Sequence, residues 1–88
     1  MDKSIYRYIV PFGPPQKITL NSGPRHVANT VAEDGLEFWA EHYPNRQEFE
    51  VTFGVFGTGW PVPDGAVYVG TASRTSDGLV FHLYEIPK

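Results

Sequence analysis

The sequence contains no cysteine, so disulfide bonds, a thiolate nucleophile and a thiolate metal site are excluded. Long apolar runs are also absent, and we therefore expect neither a membrane-spanning segment nor a signal-peptide core. Positive charge is scarce: 7 Lys and Arg stand against 10 Asp and Glu, the net charge is −3, and the basic residues are scattered. Because phosphate contacts dominate nucleic-acid binding, this balance predicts that the chain does not bind nucleic acid.

Residues that break helices and residues that favour strands are abundant instead. The 88 residues include 9 Gly, 8 Pro, 6 Phe, 5 Tyr and 2 Trp. Gly and Pro interrupt any helical pattern, and the β-branched and aromatic residues between them are typical of strands. The length fits one domain, residues 1–88, and the spacing predicts an all-β fold, a small antiparallel sandwich or a partly open barrel of about seven strands. We place the strands at residues 5–10, 17–20, 25–32, 36–41, 48–55, 66–72 and 79–86.

The clearest pattern lies in residues 36–55, where apolar and polar residues alternate on both sides of a predicted turn at residues 43–46. A hairpin folded there buries one face of both strands, which a one-residue slip would destroy. A helix over residues 31–42 is the alternative, but Gly35 within it costs about 1 kcal/mol relative to Ala, and strict alternation favours a strand. The hairpin register sets Ala40 opposite Phe49, Phe38 opposite Val51, Leu36 opposite Phe53, Glu41 opposite Glu48, Trp39 opposite Glu50, and Glu37 opposite Thr52.

This hairpin predicts a candidate partner-binding surface on its outer face, where four glutamates surround an indole. Like charges directly opposite each other destabilise a sheet, and three interpretations of the cluster stay open. A paired-carboxylate glycosidase site needs a cleft, which a convex hairpin lacks. The others are an acidic, aromatic-anchored surface for a basic partner protein, and a solvated face that keeps an edge strand from pairing. The candidate residues are Glu37, Trp39, Glu41, Glu48 and Glu50, with Trp60 as a second choice.

Trp60 lies in residues 57–65, a stretch with three Gly and two Pro that predicts a long ordered loop or a crossover between sheets. Its Gly-x-Gly pattern does not indicate nucleotide binding, because no Lys-Ser/Thr pair follows it and Pro61 and Pro63 lack backbone donors. Trp60 either plugs one end of the core or presents a rigid ring for binding.

Local patterns add further expectations. Gly35 is expected in a hairpin turn with Glu33 and Asp34, at a position that needs a positive φ. Gly70 indicates a bulge or a close backbone approach within its strand. Residues 74–78 form the last turn, and residues 79–86, apolar on both faces, are expected at the centre of a sheet.

Catalytic and metal sites are not indicated by the sequence. Its only imidazoles, His26, His42 and His82, are not spaced as metal ligands, and no Ser-His-Asp or G-x-S-x-G pattern is present. His42 is expected to be exposed beside the turn, and His82 to be half-buried. We therefore expect no enzymatic activity, no cofactor and no metal.

Four segments share a distinctive pattern of Gly, Pro and aromatic residues: FGTGWPVPDGAVYVGTA (residues 56–72), LVFHLYEIP (79–87), IYRYIVP (5–11) and LEFWAE (36–41). They resemble a group of small, uncharacterised accessory proteins of actinobacterial tailed bacteriophages and prophages, and the resemblance is weakest over residues 11–30. It rests on Gly, Pro and aromatic positions and includes no catalytic motif. The resemblance implies a phage accessory protein that works in the cytoplasm of an infected bacterial cell.

Two functions from different classes follow as expectations. The first is a phage-encoded protein that binds a host protein and modulates it, for host takeover or against host defence. The second is a structural, assembly or self-associating phage protein without a host target. In a homodimer of this kind, the two apolar C-terminal strands would pair across the interface.

Overall fold

The alternating segments form seven strands in the computed structural model, which describes residues 2–32 and 34–87. The all-β fold is confirmed, and the described residues among 31–42 form no helix. The predicted turn residue Glu33 lies outside the described residues. The strands are β1 (Ser4–Pro11), β2 (Gln16–Leu20), β3 (Pro24–Asn29), β4 (Gly35–His42), β5 (Phe49–Gly57), β6 (Val67–Thr71) and β7 (Phe81–Ile86).

The strands form two antiparallel sheets that pack face to face as a sandwich rather than closing into a barrel. One sheet has the order β1-β4-β3 and the other the order β2-β5-β7-β6. The rings of Phe38 and Phe53, which are both fully buried, meet between the sheets with centroids 4.8 Å apart. The core consists of Val10, Leu20, Val27, Leu36, Phe38, Ala40, Phe53, Val55, Ala72, Phe81 and Leu83.

The predicted pairing of β4 with β5 is wrong. β4 lies between β1 and β3, whereas β5 lies between β2 and β7 in the other sheet. The alternation is nevertheless real, because Phe38 and Phe53 both point into the core from opposite layers. Two strands that face each other across a sandwich show the same inward and outward pattern as two strands that pair, so alternation alone does not distinguish the arrangements.

The predicted turn at residues 43–46 does form, but it carries the chain from one sheet to the other. The Arg46 N–H donates to the Tyr43 carbonyl over 3.2 Å. Asn21, only 2% exposed, holds this segment: its Nδ2 donates to the Tyr43 carbonyl over 2.7 Å, and its Oδ1 accepts from the Tyr43 N–H over 3.0 Å. A second contact from Asn21 Nδ2 reaches the Arg46 carbonyl at 3.3 Å.

The connection from β5 to β6 is a loop within one sheet, which confirms the ordered-loop alternative and not the crossover between sheets. β5 ends with Gly57 opposite Phe81, and β6 begins with Val67 opposite Glu85, so residues 58–66 return along the length of β7. β7 itself lies between β5 and β6, which confirms the predicted central strand. The last turn is confirmed by the Gly78 N–H, which donates to the Thr75 carbonyl.

The glycine expectations have mixed outcomes. Gly35 does not adopt a positive φ; it begins β4 in close contact with β1, where a Cβ would lie 2.5 Å from the Val10 carbonyl oxygen. Gly70 follows the register shift in β6, which confirms the bulge, and a Cβ there would lie 2.7 Å from Cγ2 of Val27. Gly70 is therefore also a point of close approach between the two sheets.

Candidate protein-binding surface

The outer face of the three-stranded sheet collects side chains from all of its strands around Trp39. The register sets Arg7 of β1 and His26 of β3 on either side of Trp39. We name this surface the Trp39 face. Its outward positions are Ile5, Arg7 and Ile9 of β1, Glu37, Trp39 and Glu41 of β4, and His26 and Ala28 of β3.

The centre of the Trp39 face is apolar and partly open to solvent. The Trp39 ring is partly buried, and its centroid lies 5.6 Å from that of the His26 imidazole. Ile5 and Ile9 are 60% and 48% exposed, although isoleucine usually favours burial. Trp39 is therefore fixed by its neighbours while aliphatic surface remains exposed beside it.

The predicted acidic character of this surface is wrong, because its carboxylates are covered by cations. Glu37 pairs with Arg7 at 3.5 Å, and the Glu37 side chain is 9% exposed whereas that of Arg7 is 53% exposed. Glu41 pairs with Lys3 at 2.7 Å and with Arg25 at 3.3 Å; its side chain is 16% exposed, against 50% and 68% for the two cations. Positive charge therefore projects from the Trp39 face.

The Glu41 carboxylate is held in its charged form. Hydrogen bonds from Lys3 and Arg25 lower the pKa of Glu41 below its ordinary value, against a smaller opposing effect of burial. The Tyr43 hydroxyl also donates to Glu41, over 3.3 Å. In return, the hydrogen bond and charge of Glu41 raise the pKa of Lys3.

Glu48 and Glu50, the other predicted members of the surface, lie elsewhere. Both are exposed, Glu48 in the segment before β5 and Glu50 on β5 opposite Thr19 of β2. The expected contacts of Glu41 with Glu48 and of Trp39 with Glu50 do not form, because β4 and β5 belong to different sheets. Of the predicted cluster, the structure brings together Glu37, Trp39 and Glu41.

Trp60 is partly packed against the fold and partly open to solvent. It lies in the loop after β5, and its ring covers Gly57, where a Cβ would come within 2.7 Å of the indole. It also contacts the edge of Phe81, with centroids 6.0 Å apart. The remainder of the side chain is open, at 55% exposure. Trp60 thus closes one end of the four-stranded sheet without being buried.

A shallow cleft beside Trp60 is the second feature of this end. It has a volume of about 190 Å³ and is lined in part by Phe56, Val62 and Tyr84. His82 is partly buried there, as expected, and its Nε2 and Nδ1 form hydrogen bonds with the hydroxyls of Thr58 (2.8 Å) and Thr71 (2.9 Å). Hydroxyl groups thus engage both ring nitrogens of His82.

The other two imidazoles belong to the three-stranded sheet. His26 contacts Trp39, as described. His42 is partly buried and stacks on Tyr6, with ring centroids 5.3 Å apart, so its expected exposure is wrong. Among residues 2–32 and 34–87, no three His, Asp or Glu side chains lie close enough to hold a metal ion together.

Sequence reasoning missed the contributions of β1 and β3 to the Trp39 face. The segment IYRYIV carries the relevant signal, since alternation places Ile5, Arg7 and Ile9 on one side. That signal becomes useful only once β1 is known to pair with β4, which local sequence patterns do not specify.

Comparisons with known proteins place the chain in a family without assigning an activity. No helix formed by the described residues is long and apolar enough to span a membrane. No curated protein and no solved structure matches the chain significantly. The family model described as "Domain of unknown function (DUF7352)" matches residues 1–88. Because that match covers its whole length, the chain belongs to the DUF7352 family.

Proposed function

We propose that this protein is a small phage accessory protein that binds a host protein through the Trp39 face and modulates it. It acts as a binding module in the cytoplasm of the infected bacterial cell, without catalysis or a cofactor. The observation that carries the proposal is the sheet face on which Trp39 is surrounded by exposed aliphatic and basic side chains.

The composition of this face suits protein recognition. Binding energy concentrates in a few residues, with Trp and Arg over-represented among them. Trp39 is already partly packed against His26, so it loses little side-chain freedom on binding. Ile5 and Ile9 supply apolar area that a partner can bury.

The exposed cations of the Trp39 face favour a partner with an acidic surface. Lys3, Arg7 and Arg25 are three of the chain's 7 Lys and Arg residues, and all three lie on or beside this face. Carboxylates on a partner can accept hydrogen bonds from the exposed guanidinium groups of Arg7 and Arg25, which suit bidentate recognition. Such complementarity mainly raises the association rate and the specificity.

The phage context rests on the resemblance of residues 5–11, 36–41, 56–72 and 79–87 to small proteins of actinobacterial phages and prophages. A protein can modulate a host protein by binding it through a stable surface. The Trp39 face needs no catalytic group for such binding.

The test is capture of partners from an actinobacterial lysate, followed by affinity measurement with the captured protein. Trp39→Ala is expected to weaken binding at least about tenfold, the usual scale for an interface anchor. Trp60→Ala is the matched control, since it removes the other indole, which lies in the loop after β5, away from the Trp39 face. Retention of the same partners by both variants would contradict the proposal.

A charge reversal tests the acidic partner independently. Arg25→Glu alters an exposed cation of the Trp39 face, and Lys17→Glu alters an exposed cation on β2 of the other sheet. We expect Arg25→Glu to slow association and Lys17→Glu to leave it nearly unchanged. Equal effects of the two variants would refute the proposed acidic partner.

Self-association is the second candidate function. The dimer expected through the two C-terminal strands stays a prediction: β7 is flanked by β5 and β6, whereas β6 lies at the edge of its sheet. β1 offers a longer strand edge, of eight residues against five.

A further inference from the structure

The outer edge of β1 is a long and regular strand edge that no other strand of residues 2–32 and 34–87 covers. β1 has eight residues, and all of them pair with β4 without a register shift. Among the described strands, its one neighbour in the sheet is β4. We propose that β1 pairs antiparallel with β1 of a second copy of this chain, which joins two three-stranded sheets into one sheet of six strands.

The backbone groups available at this edge follow from the ladder. The Phe12 N–H donates to the Asp34 carbonyl over 3.1 Å, and these two residues continue the register of β1 and β4. In an antiparallel pair, directly hydrogen-bonded residues alternate with residues whose N–H and C=O point away from the partner. The even-numbered residues of β1 therefore bond to β4, and Ile5, Arg7 and Ile9 direct their backbone groups outward.

The other strand edges of the described residues carry features that hinder strand addition. β3 begins with Pro24 and contains a register shift after it, and β6 has five residues interrupted by a shift between Tyr68 and Gly70. β2 also has five residues and follows Pro14 and Pro15. Short length, bulges and proline are the devices by which proteins protect edges. β1 carries only Pro11, at its end.

The side chains of β1 favour its own copy as the occupant. Centring the pair on Arg7 sets Ile5 of each copy opposite Ile9 of the other, so that four exposed isoleucines form two cross-strand pairs. The same register matches the outward N–H and C=O groups of all three residues. Each Arg7 is neutralised by Glu37 of its own chain, which limits repulsion at the centre.

Pairing of this kind makes one continuous surface from the two Trp39 faces, because paired residues lie on the same side of a sheet. The dimer does not depend on the proposed host-protein binding. A partner with two-fold symmetry would nevertheless gain from the two linked faces.

Sedimentation equilibrium between about 1 μM and about 1 mM covers the range in which a dimer of modest affinity dissociates. We expect the apparent mass to rise from 9.9 kDa toward twice that value. A mass of one chain at every concentration overturns the proposal.

Substitutions then locate the interface. Ile9→Pro removes an outward N–H while leaving the bonds to β4 intact, and is expected to abolish the dimer. Ile5→Lys serves if the proline variant fails to fold, and Val67→Lys is its matched control, since Val67 is a similarly exposed residue on the β6 edge (57% against 60%). A dimer that survives Ile5→Lys, or that is lost equally in Val67→Lys, places the interface elsewhere.

Amide hydrogen exchange reports on the proposed interface one amide at a time. In the dimer the amides of Arg7 and Ile9 are protected, and dilution to the monomer accelerates their exchange. The Tyr8 amide, bonded to β4 in both states, is expected not to change. Fast exchange of Arg7 and Ile9 at the highest concentration would overturn the proposed pairing.

Discussion

Asn21 is the residue that holds the crossover between the two sheets. Its side-chain amide satisfies both the N–H and the carbonyl of Tyr43 and also contacts the Arg46 carbonyl. The Arg46 guanidinium in turn lies 3.8 Å from the centre of the Tyr43 ring. A clamp on a segment 22 positions away has no local signature in the sequence.

Removing this clamp should destabilise the fold. Asn21→Ala leaves the partly buried N–H and carbonyl of Tyr43 without their Asn21 partner, and we expect a loss of about 2–3 kcal/mol in the free energy of unfolding. Asn29→Ala is the control, because Asn29 makes one side-chain bond, to the Ser73 carbonyl, and should cost about 1 kcal/mol. Urea denaturation measures both. A similar loss in the two variants would argue against the clamp.

The ion pairs of Glu41 make the free energy of unfolding depend on pH in the acid range. Since folding lowers the pKa of Glu41, its contribution is fully present above the ordinary value of 4.5 and is lost as the pH falls through the lowered value. We expect Glu41→Gln to lose less stability than the wild type between neutral pH and pH values well below 4.5. Glu50→Gln, on the other sheet, is the control and should follow the wild type. Parallel curves for wild type and Glu41→Gln would contradict this account.

At the scale of strands, the sequence predicts where strands form better than it predicts which strands pair. All seven strands, the central place of β7 and the bulge beside Gly70 follow from alternation, apolar runs and glycine position. The pairing of β4 does not, because its inward residues pack equally well against a neighbour in its own sheet or a strand in the facing sheet. The wrong pairing of β4 with β5 assigned Glu48 and Glu50 to the surface around Trp39. It also left out Arg7 and His26, which do lie beside Trp39.

A substitution at Gly70 tests the close contact between β3 and β6, which belong to different sheets. A methyl group there would approach Val27, a buried residue of β3, so Gly70→Ala should cost about 1–3 kcal/mol in the free energy of unfolding. Gly23→Ala is matched to it, because a Cβ at Gly23 meets nothing within 4 Å. Thermal or urea unfolding that shows no difference between the variants would mean that the sheets do not close in this way.

At the scale of the whole molecule, the two tryptophans lie beside different sheets, Trp39 on a strand and Trp60 in a loop. Trp39 lies on the outer face of the three-stranded sheet among exposed cations, and Trp60 closes one end of the four-stranded sheet. The predicted hairpin register placed four of the 10 acidic residues on one outer face, which suggested an acidic surface. The fold reverses that local sign, because it covers Glu37 and Glu41 with basic side chains from other parts of the chain.

The two indoles make the central claim directly measurable. In ¹⁵N-labelled protein each tryptophan contributes one indole N–H resonance, so the spectrum reports separately on the two sheets. On titration with the host protein captured from lysate, we predict that the Trp39 indole signal shifts or broadens while the Trp60 signal stays in place. A shift of Trp60 alone, or equal changes in both, would contradict the assignment of binding to the Trp39 face.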